Sequence, residues 1–349
     1  MALMEGDVPM ALRIIRDGQL EVVGRMTYEG KLTHSFTAHP KNDPDTNEMI
    51  FFGYNIEKKP WCSYGIVSPT GEYKSSIDIG LEHPVMMHDF AITSRYSVFM
   101  DHPLELNPKA LASGGFLFNF AAEKPSRIGV LPRHSKDAVQ DMRWFEFPSG
   151  YVFHTVSAYE EGNEVVLIGC RSKSIRLVDS GDTEETDHDF LPILHEYHMN
   201  VETGECSESA LLEVEEGEEP LHCEFPTIHP GFITHRPRYA YCAEMEGSQF
   251  KSCLKIDLLE RKLLGRVSFG NRKYGGECVF VPKVNGKAED DGYLLTFVYN
   301  ELSDSSEFWV MDAKTMAAEP LAVVDLPERV PHGFHGLWVT EDQINNQKK

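Results

Sequence analysis

Short segments rich in aromatic and β-branched residues recur along the whole chain, each bounded by Gly, Pro, Asn or Asp. This pattern is typical of β-strands separated by turns. Helical periodicity is scarce, and one short helix is expected over 106–114. The pattern predicts a mostly antiparallel, all-β protein with strands over 48–56, 61–67, 89–100, 151–160, 164–172, 239–246, 292–300 and 307–313.

Strands that continue over all 349 residues favour a barrel, a sandwich or a propeller. No strict internal repeat and no linker divides the chain. The acidic stretches 180–189 and 213–220 are interpreted as solvated loops between strands. We therefore expect residues 1–349 to form a single domain.

The composition argues against several classes of binding partner. With 33 basic and 55 acidic residues the formal net charge is −22, which argues against nucleic acid and against a basic membrane-binding patch. The seven cysteines include no CxxC pair, which suits reduced thiols in an intracellular compartment. The N-terminus lacks the pattern of a signal peptide, and no apolar run approaches the ~18 residues of a membrane span.

Familiar enzyme motifs are missing from the sequence. It contains no GxGxxG, P-loop, GxSxG or HExxH. The stretch HEYH at 195–198 has suitable residue types at the wrong spacing, and with His188 it could bind a metal weakly. A polar strand surface is the favoured interpretation of these histidines.

Seven other polar residues lie among aromatic, aliphatic and small residues, and they follow one another at intervals of 34, 49, 66, 70, 53 and 58 residues. Taken singly, each histidine is more often a buried core residue than a ligand. Together the intervals resemble those of propeller blades, which suggests one residue per blade near the central axis. In chain order the residues are Glu5, His39, His88, His154, Glu224, Glu277 and His335.

The chemistry of this set is coherent. Four neutral imidazoles suit a divalent transition metal such as iron or zinc. Each carboxylate could accept the second ring N–H of a histidine ligand, which fixes its tautomer and orientation. Four ligands leave positions open on a six-coordinate iron(II), where O2 could bind.

Several stretches, taken in order over essentially the whole chain, resemble the carotenoid cleavage dioxygenase family, whose relatives include retinal-pigment isomerase and lignostilbene dioxygenases. The stretches are FTAHPKNDPDTNEM, MMHDFAIT, FHTVSAYEEGNEVVL, CEFPTI, YGGECVFVP, EDDGYLLTFV and VMDAKTMAAEPLAVVDLPERVPHGFHG. MMHDFAIT, RIGVLPRHSKD and EDDGYLLTFV are most similar to plant-type enzymes that cleave at the 9,10 position.

The resemblance implies a seven-bladed β-propeller with iron(II) on its axis, held by the four histidines. It implies that Glu5 orients His88, that Glu224 orients His154 and that Glu277 orients His335, whereas His39 has no carboxylate partner. The implied reaction uses O2 to cleave one conjugated C=C bond of a carotenoid or apocarotenoid into two carbonyl products, without an organic cofactor. A stilbene substrate and a non-catalytic propeller remain as alternatives.

The implied substrate is apolar, so a peripheral membrane surface is an expected partner and nucleic acid is not. The family's usual long N-terminal segment, with its RNGPNP-like and WFDGDGM stretches, has no counterpart here. We therefore expect a propeller, either complete or incomplete at its N-terminal blades, in the cytoplasm or a plastid. Any transit peptide would belong to that segment.

Near the end of the chain, VPHGFHGLWV contains two histidines. His335 is the predicted ligand, delivered by the last inner strand, and His332 is a neighbour at a position where the family often has tyrosine. Ser157 stands where asparagine is frequent. Gly333 and Gly336 are expected to allow close backbone approach, with Phe334 and Trp338 packed beside them. Candidate tunnel residues, each more often ordinary core, are Phe99, Phe116, Phe118, Phe120 and Trp144.

Overall fold

The computed structural model describes residues 1–15, 18–107, 117–175, 188–214, 217–331 and 335–347. The chain divides into two compact units: a first unit of Met1–Pro148 with Trp338–Lys349, and a second unit of Ser149–Leu337. Both are built from antiparallel β-sheets. The single domain expected over 1–349 stays a prediction.

Among the described residues of the first unit are two short helices, α1 (Ala138–Asp141) and α2 (Glu341–Asn345). In the described part of the chain no helix has the length and apolar character needed to cross a membrane. The strands of this unit are β1 (Met10–Ile14), β2 (Leu20–Arg25), β3 (Lys41–Asn42), β4 (Met49–Tyr54), β5 (Cys62–Val67), β6 (Tyr73–Asp78), β7 (Phe90–Ile92), β8 (Tyr96–Asp101), β9 (Leu104–Leu106), β10 (Phe118–Phe120), β11 (Ser126–Pro132) and β12 (Arg143–Phe147).

Two four-stranded sheets dominate the first unit, with strand orders β3-β4-β5-β6 and β12-β11-β8-β7. Strands β1 and β2 form a separate pair, as do β9 and β10. Phe51 is fully buried and stacks on Phe36 at a ring-centroid distance of 4.4 Å, and Phe90 stacks on Phe99 at 5.8 Å. These aromatic pairs belong to the buried core of the unit, as the aromatic-rich strand pattern predicts.

The second unit holds three larger sheets with orders β13-β14-β15-β16, β17-β18-β19-β20 and β21-β23-β24-β25, and β22 also pairs with β23. Two short 3-10 helices lie at His188–Phe190 and Pro230–Phe232. The strands are β13 (Tyr151–Glu161), β14 (Glu164–Ser172), β15 (Ile193–Asn200), β16 (Cys206–Ala210), β17 (Cys223–Thr227), β18 (Tyr239–Glu246), β19 (Gln249–Asp257), β20 (Lys262–Ser268), β21 (Lys273–Tyr274), β22 (Val279–Pro282), β23 (Gly292–Asn300), β24 (Ser305–Asp312) and β25 (Ala322–Asp325).

Burial changes in a regular way across these sheets. Strand β14 is buried on both faces, whereas β16 and β25, the last strands of their sheets, are mostly exposed. A core of Val166, Leu254 and neighbouring apolar side chains packs between the β13–β16 and β17–β20 sheets. The all-β, antiparallel fold class is confirmed. Closure of the sheets into seven blades stays a prediction.

Most of the predicted strands agree with the structure, and 239–246 and 292–300 match β18 and β23 to the residue. The segment 89–100 was expected as one strand but forms two, β7 and β8. The N–H of Thr93 donates to the carbonyl of Tyr96, and the Thr93 side chain accepts from the N–H of Tyr96, so a turn separates them. Most of the helix expected over 106–114 lies outside the described residues, and Leu106 ends β9.

The EDDG motif of the sequence has a structural role in the second unit. Glu289 accepts from the backbone N–H groups of Arg238 and Tyr239 at the start of β18. Asp290 lies 2.8 Å from Nζ of the buried Lys255, and Asp291 accepts from two N–H groups of its own turn. Buried polar groups must be paired to be tolerated, so this motif ties a loop to the neighbouring sheet.

Candidate metal centre

His39 and His88 face each other within the first unit. Their Nε2 atoms lie 3.0 Å apart, and the ring centroids are 4.6 Å apart. Both histidines stand in irregular segments next to strands, not within them. The backbone N–H of His39 donates to the Thr37 hydroxyl at 3.0 Å, and the N–H of Thr37 donates to the carbonyl of Phe52 on β4. Strand β4 therefore positions His39 through Thr37.

Glu5 lies against the other side of the His88 ring. Its Oε1 atom contacts Nδ1 of His88, and only 13% of either side chain is exposed. Its Oε2 atom accepts from the hydroxyl of Tyr54 at 3.3 Å. Glu5 occupies a turn that the Ala2–Met10 bridge holds in place. Since Nδ1 of His88 contacts the carboxylate, Nε2 is the nitrogen directed to His39.

His154 lies on β13 in the second unit, where a bulge interrupts the pairing with β14. The Oε2 atom of Glu224 lies 2.6 Å from Nδ1 of His154, and both residues are buried. The same oxygen accepts from the backbone N–H of Phe225. The carboxylate is therefore held by its own strand while it contacts the histidine.

Phe225 has a backbone conformation that bulky residues rarely adopt. Its φ is 51°, in the left-handed region, at a register shift between β17 and β18. The ring is buried, with its centroid 5.4 Å from those of both His154 and His335 and 4.9 Å from that of Phe250. A strained aromatic residue at this place forms an apolar wall beside the two imidazoles.

His335 stands outside any strand, so the expectation that an inner strand delivers it was wrong. Two hydrogen bonds to one carboxylate position it instead. Nδ1 lies 3.1 Å from Oε1 of Glu277, and the N–H of Gly336 donates to Oε2 at 2.8 Å. About a third of the His335 side chain is exposed, and its centroid lies 4.9 Å from that of His154.

The neighbours of His335 differ from the expectation in part. A Cβ added at Gly336 would meet Val279 at 3.6 Å, an ordinary contact, so the backbone approach expected there does not require glycine. Trp338 is half exposed. His332, Gly333 and Phe334 lie outside the described residues.

The residues present fit a divalent metal. The described residues include a group of four histidines that could hold one: His39, His88, His154 and His335. Carboxylates contact Nδ1 of three of them and leave Nε2 as the donor atom. Two imidazole nitrogens bound at right angles to one ion at about 2.1 Å would lie about 3.0 Å apart, the separation found between Nε2 of His39 and of His88. The ligand role of the four, and the orienting role of the glutamates, stay predictions.

The other histidines singled out in the sequence do not share a site. Consecutive strand residues point to opposite faces, so His195 and His198, three apart on β15, face opposite sides of the sheet. Nε2 of His195 lies 3.3 Å from Glu208, and Nδ1 of His198 lies 3.2 Å from Glu164. His188 begins a short 3-10 helix. These pairs fit the favoured interpretation as structural polar residues.

The residues considered as candidates for a tunnel wall differ in their surroundings. Phe99 is fully buried and stacks on Phe90, as a core residue does. Phe118 and Phe120 lie on β10. Trp144 lies on β12, and the Arg127 guanidinium is 4.9 Å from the centre of its ring. Phe116 lies outside the described residues. None of these contacts identifies a tunnel wall.

Comparisons with known proteins place the chain in a family. Residues 1–340 match the family described as Retinal pigment epithelial membrane protein. The carotenoid 9,10(9',10')-cleavage dioxygenase of Crocus sativus is 41% identical over 365 residues, covering 100% of this chain and 65% of that protein. The carotenoid 9,10(9',10')-cleavage dioxygenase 1 of Phaseolus vulgaris is 40% identical over 366 residues, covering 100% and 66%.

A solved structure has a similar fold. The lignostilbene dioxygenase of Pseudomonas brassicacearum superposes with a TM-score of 0.85 at 25% identity, over 97% of this chain and 72% of that one. The chain belongs to the retinal pigment epithelial membrane protein family, as the sequence motifs indicated. It spans about 65% of the length of the curated relatives that it matches.

Proposed function

We propose that this chain is a non-haem iron(II) dioxygenase that cleaves a conjugated C=C bond of a carotenoid or apocarotenoid with O2. Two findings support this: the match over the whole chain to proteins named carotenoid 9,10-cleavage dioxygenases, and the 3.0 Å separation of the His39 and His88 nitrogens. The second finding supports the metal, because both nitrogens belong to the group of four histidines that could hold a cation.

In this proposal His39, His88, His154 and His335 bind the iron through Nε2. Glu5, Glu224 and Glu277 each keep the proton of their histidine on Nδ1 and add negative charge near the cation. Three anionic carboxylates suit a divalent ion better than four neutral imidazoles would alone.

Bound iron(II) would supply the redox chemistry that activates O2. The chain's own residues position and enclose the reactants. The buried ring of Phe225, with Phe250 behind it, gives His154 and His335 an apolar neighbour. Both oxygen atoms of O2 end as the two product carbonyls, so the reaction balances without an added reductant and needs no general acid or base.

The proposed substrate is apolar and poorly soluble, so collection from a membrane surface is part of the proposal. With a net charge of −22, attachment would rest on apolar residues and not on a basic patch, and nucleic acid is not a proposed partner. The seven cysteines are free thiols, which supports a reducing compartment, the cytoplasm or a plastid.

Metal analysis and product analysis test the proposal together. The purified protein is reconstituted anaerobically with iron(II), its iron is counted, and it is incubated with β-carotene under O2. We expect about one iron per chain and aldehyde or ketone products whose masses correspond to 9,10 cleavage. Iron far below this level would contradict the enzyme and favour a non-catalytic propeller.

A stilbene-cleaving dioxygenase is the second candidate, because the superposed structure is a lignostilbene dioxygenase. The higher identity to carotenoid-cleaving proteins favours the first candidate. Parallel incubation with resveratrol distinguishes them: phenolic aldehydes from resveratrol, with β-carotene intact, would establish the second.

A further inference from the structure

We propose that Tyr54 is a positioning residue for the metal ligand His88, acting through Glu5. This inference rests on the proposed metal centre and adds a residue to it. The tyrosine hydroxyl donates to Oε2 of Glu5, and Oε1 of the same carboxylate contacts Nδ1 of His88. Tyr54, Glu5 and His88 thus form one continuous chain of contacts within the first unit.

The three candidate carboxylates are alike in needing a second contact to fix their direction. Glu224 accepts from the backbone N–H of Phe225, and Glu277 accepts from the backbone N–H of Gly336. Among the contacts the structure describes for Glu5, the corresponding donor is the hydroxyl of Tyr54. Glu5 and Glu277 are each held at both oxygens, whereas both contacts of Glu224 are made by Oε2. In each case the second contact limits rotation of the carboxylate, so Tyr54 does for Glu5 what the backbone does for the other two.

The backbone around Tyr54 is well fixed. The residue ends β4 and pairs with Cys62 on β5, and its carbonyl accepts from the Ser35 hydroxyl at 2.7 Å. Burial and the neighbouring Glu5 charge raise the pKa of the Tyr54 hydroxyl, so it stays protonated and donates. Glu5 stands on a turn outside the main sheets, so its contact with Tyr54 links its carboxylate to β4.

Anaerobic titration with Co2+, followed by its visible absorption, tests the inference. Tyr54→Phe removes one hydroxyl and keeps the ring. We expect Co2+ binding about tenfold weaker than wild type, as for other residues that orient ligands, with an altered cobalt spectrum. The double variant Glu5→Gln/Tyr54→Phe is expected to bind no more weakly than Glu5→Gln alone, because both substitutions break the same chain of contacts.

Tyr64→Phe is the matched control. Its hydroxyl is also buried in the first unit, where it donates to the carbonyl of Arg133 and accepts from Ser97. It should lower the thermal midpoint of the metal-free protein without weakening Co2+ binding.

A negative result contradicts either the positioning role of Tyr54 or the metal centre itself. Wild-type affinity in Tyr54→Phe, losses that add in the double variant, or an equal loss in Tyr64→Phe would each overturn the positioning role. If the wild-type protein itself binds no Co2+, the proposed metal centre is wrong and this inference falls with it.

Discussion

The Glu224 carboxylate lies 2.6 Å from Nδ1 of His154, and both side chains are buried. Burial of a carboxylate is costly unless it is paired and hydrogen-bonded. The contact therefore fixes the ring of His154 and leaves Nε2 as its donor atom.

Glu224→Gln keeps the shape of the side chain and removes its charge. We expect the affinity for iron(II) to fall by about 10- to 100-fold, since residues that orient metal-bound histidines commonly contribute this much. Anaerobic competition with a chelator measures it. Glu208→Gln is the control, because Glu208 contacts His195 at 3.3 Å in the same unit but away from the proposed ligands. Equal affinities in the two variants would contradict the role given to Glu224.

His335→Ala should abolish retention of iron through desalting, whereas His332→Ala should leave iron bound. The reason is that His335, with Nδ1 against Glu277, presents Nε2 as a donor. Iron counted by emission spectroscopy on both variants, reconstituted side by side, decides the matter. Equal loss from both would show that the assignment of His335 as the ligand is wrong.

Lys255→Met should destabilise the protein by about 3–5 kcal/mol, the usual cost of leaving one partner of a buried ion pair unpaired. Nζ of Lys255 lies 2.8 Å from Asp290 and 2.9 Å from the carbonyl of Lys314, and 4% of the Lys255 side chain is exposed. Urea unfolding measures the change. Lys314→Met removes a solvent-exposed pair with Asp291 and should cost much less than Lys255→Met. Similar losses of stability in the two variants would contradict the structural role given to the EDDG motif.

Asp291→Asn tests the same motif through pH. The Lys314 ammonium and the N–H groups of Ala288 and Lys287 lower the pKa of Asp291 well below its ordinary value of 3.8. A depressed pKa stabilises the folded state above pH 3.8, and this stabilisation is lost as the pH falls through the folded-state pKa. The gap in thermal midpoint between wild type and Asp291→Asn should therefore shrink below about pH 4.

Glu123→Gln, at an exposed position in the first unit, provides the reference for that comparison. Its midpoint should follow wild type at every pH. A gap for Asp291→Asn that stays constant into acid would mean that the carboxylate charge is not what stabilises the turn.

Sequence alone predicted much of the fold because hydrophobic patterning decides strands locally. Strand β23 matched its prediction to the residue, whereas 89–100 failed because the Thr93 side chain closes a turn inside an otherwise strand-like run. The candidate histidines were identified from their settings and from the family motifs.

What the sequence could not supply were contacts between distant residues. Nothing in the residues around Tyr54 indicates that its hydroxyl reaches Glu5, and the left-handed φ of Phe225 follows from a bulge that no pattern marks. The placement of His335 outside a strand was missed for a related reason. Two hydrogen bonds to Glu277 hold that segment, so it needs no sheet partner.

The contacts between glutamates and histidines also have a consequence for the stability of the fold. The pair His154–Glu224 joins residues 70 apart in the chain, and His335–Glu277 joins residues 58 apart. Closing such loops costs entropy in the unfolded chain, so these pairs depend on the folded sheets to bring their residues together. An ion that binds there stabilises the native state relative to the unfolded chain, by an amount that its affinity and free concentration set.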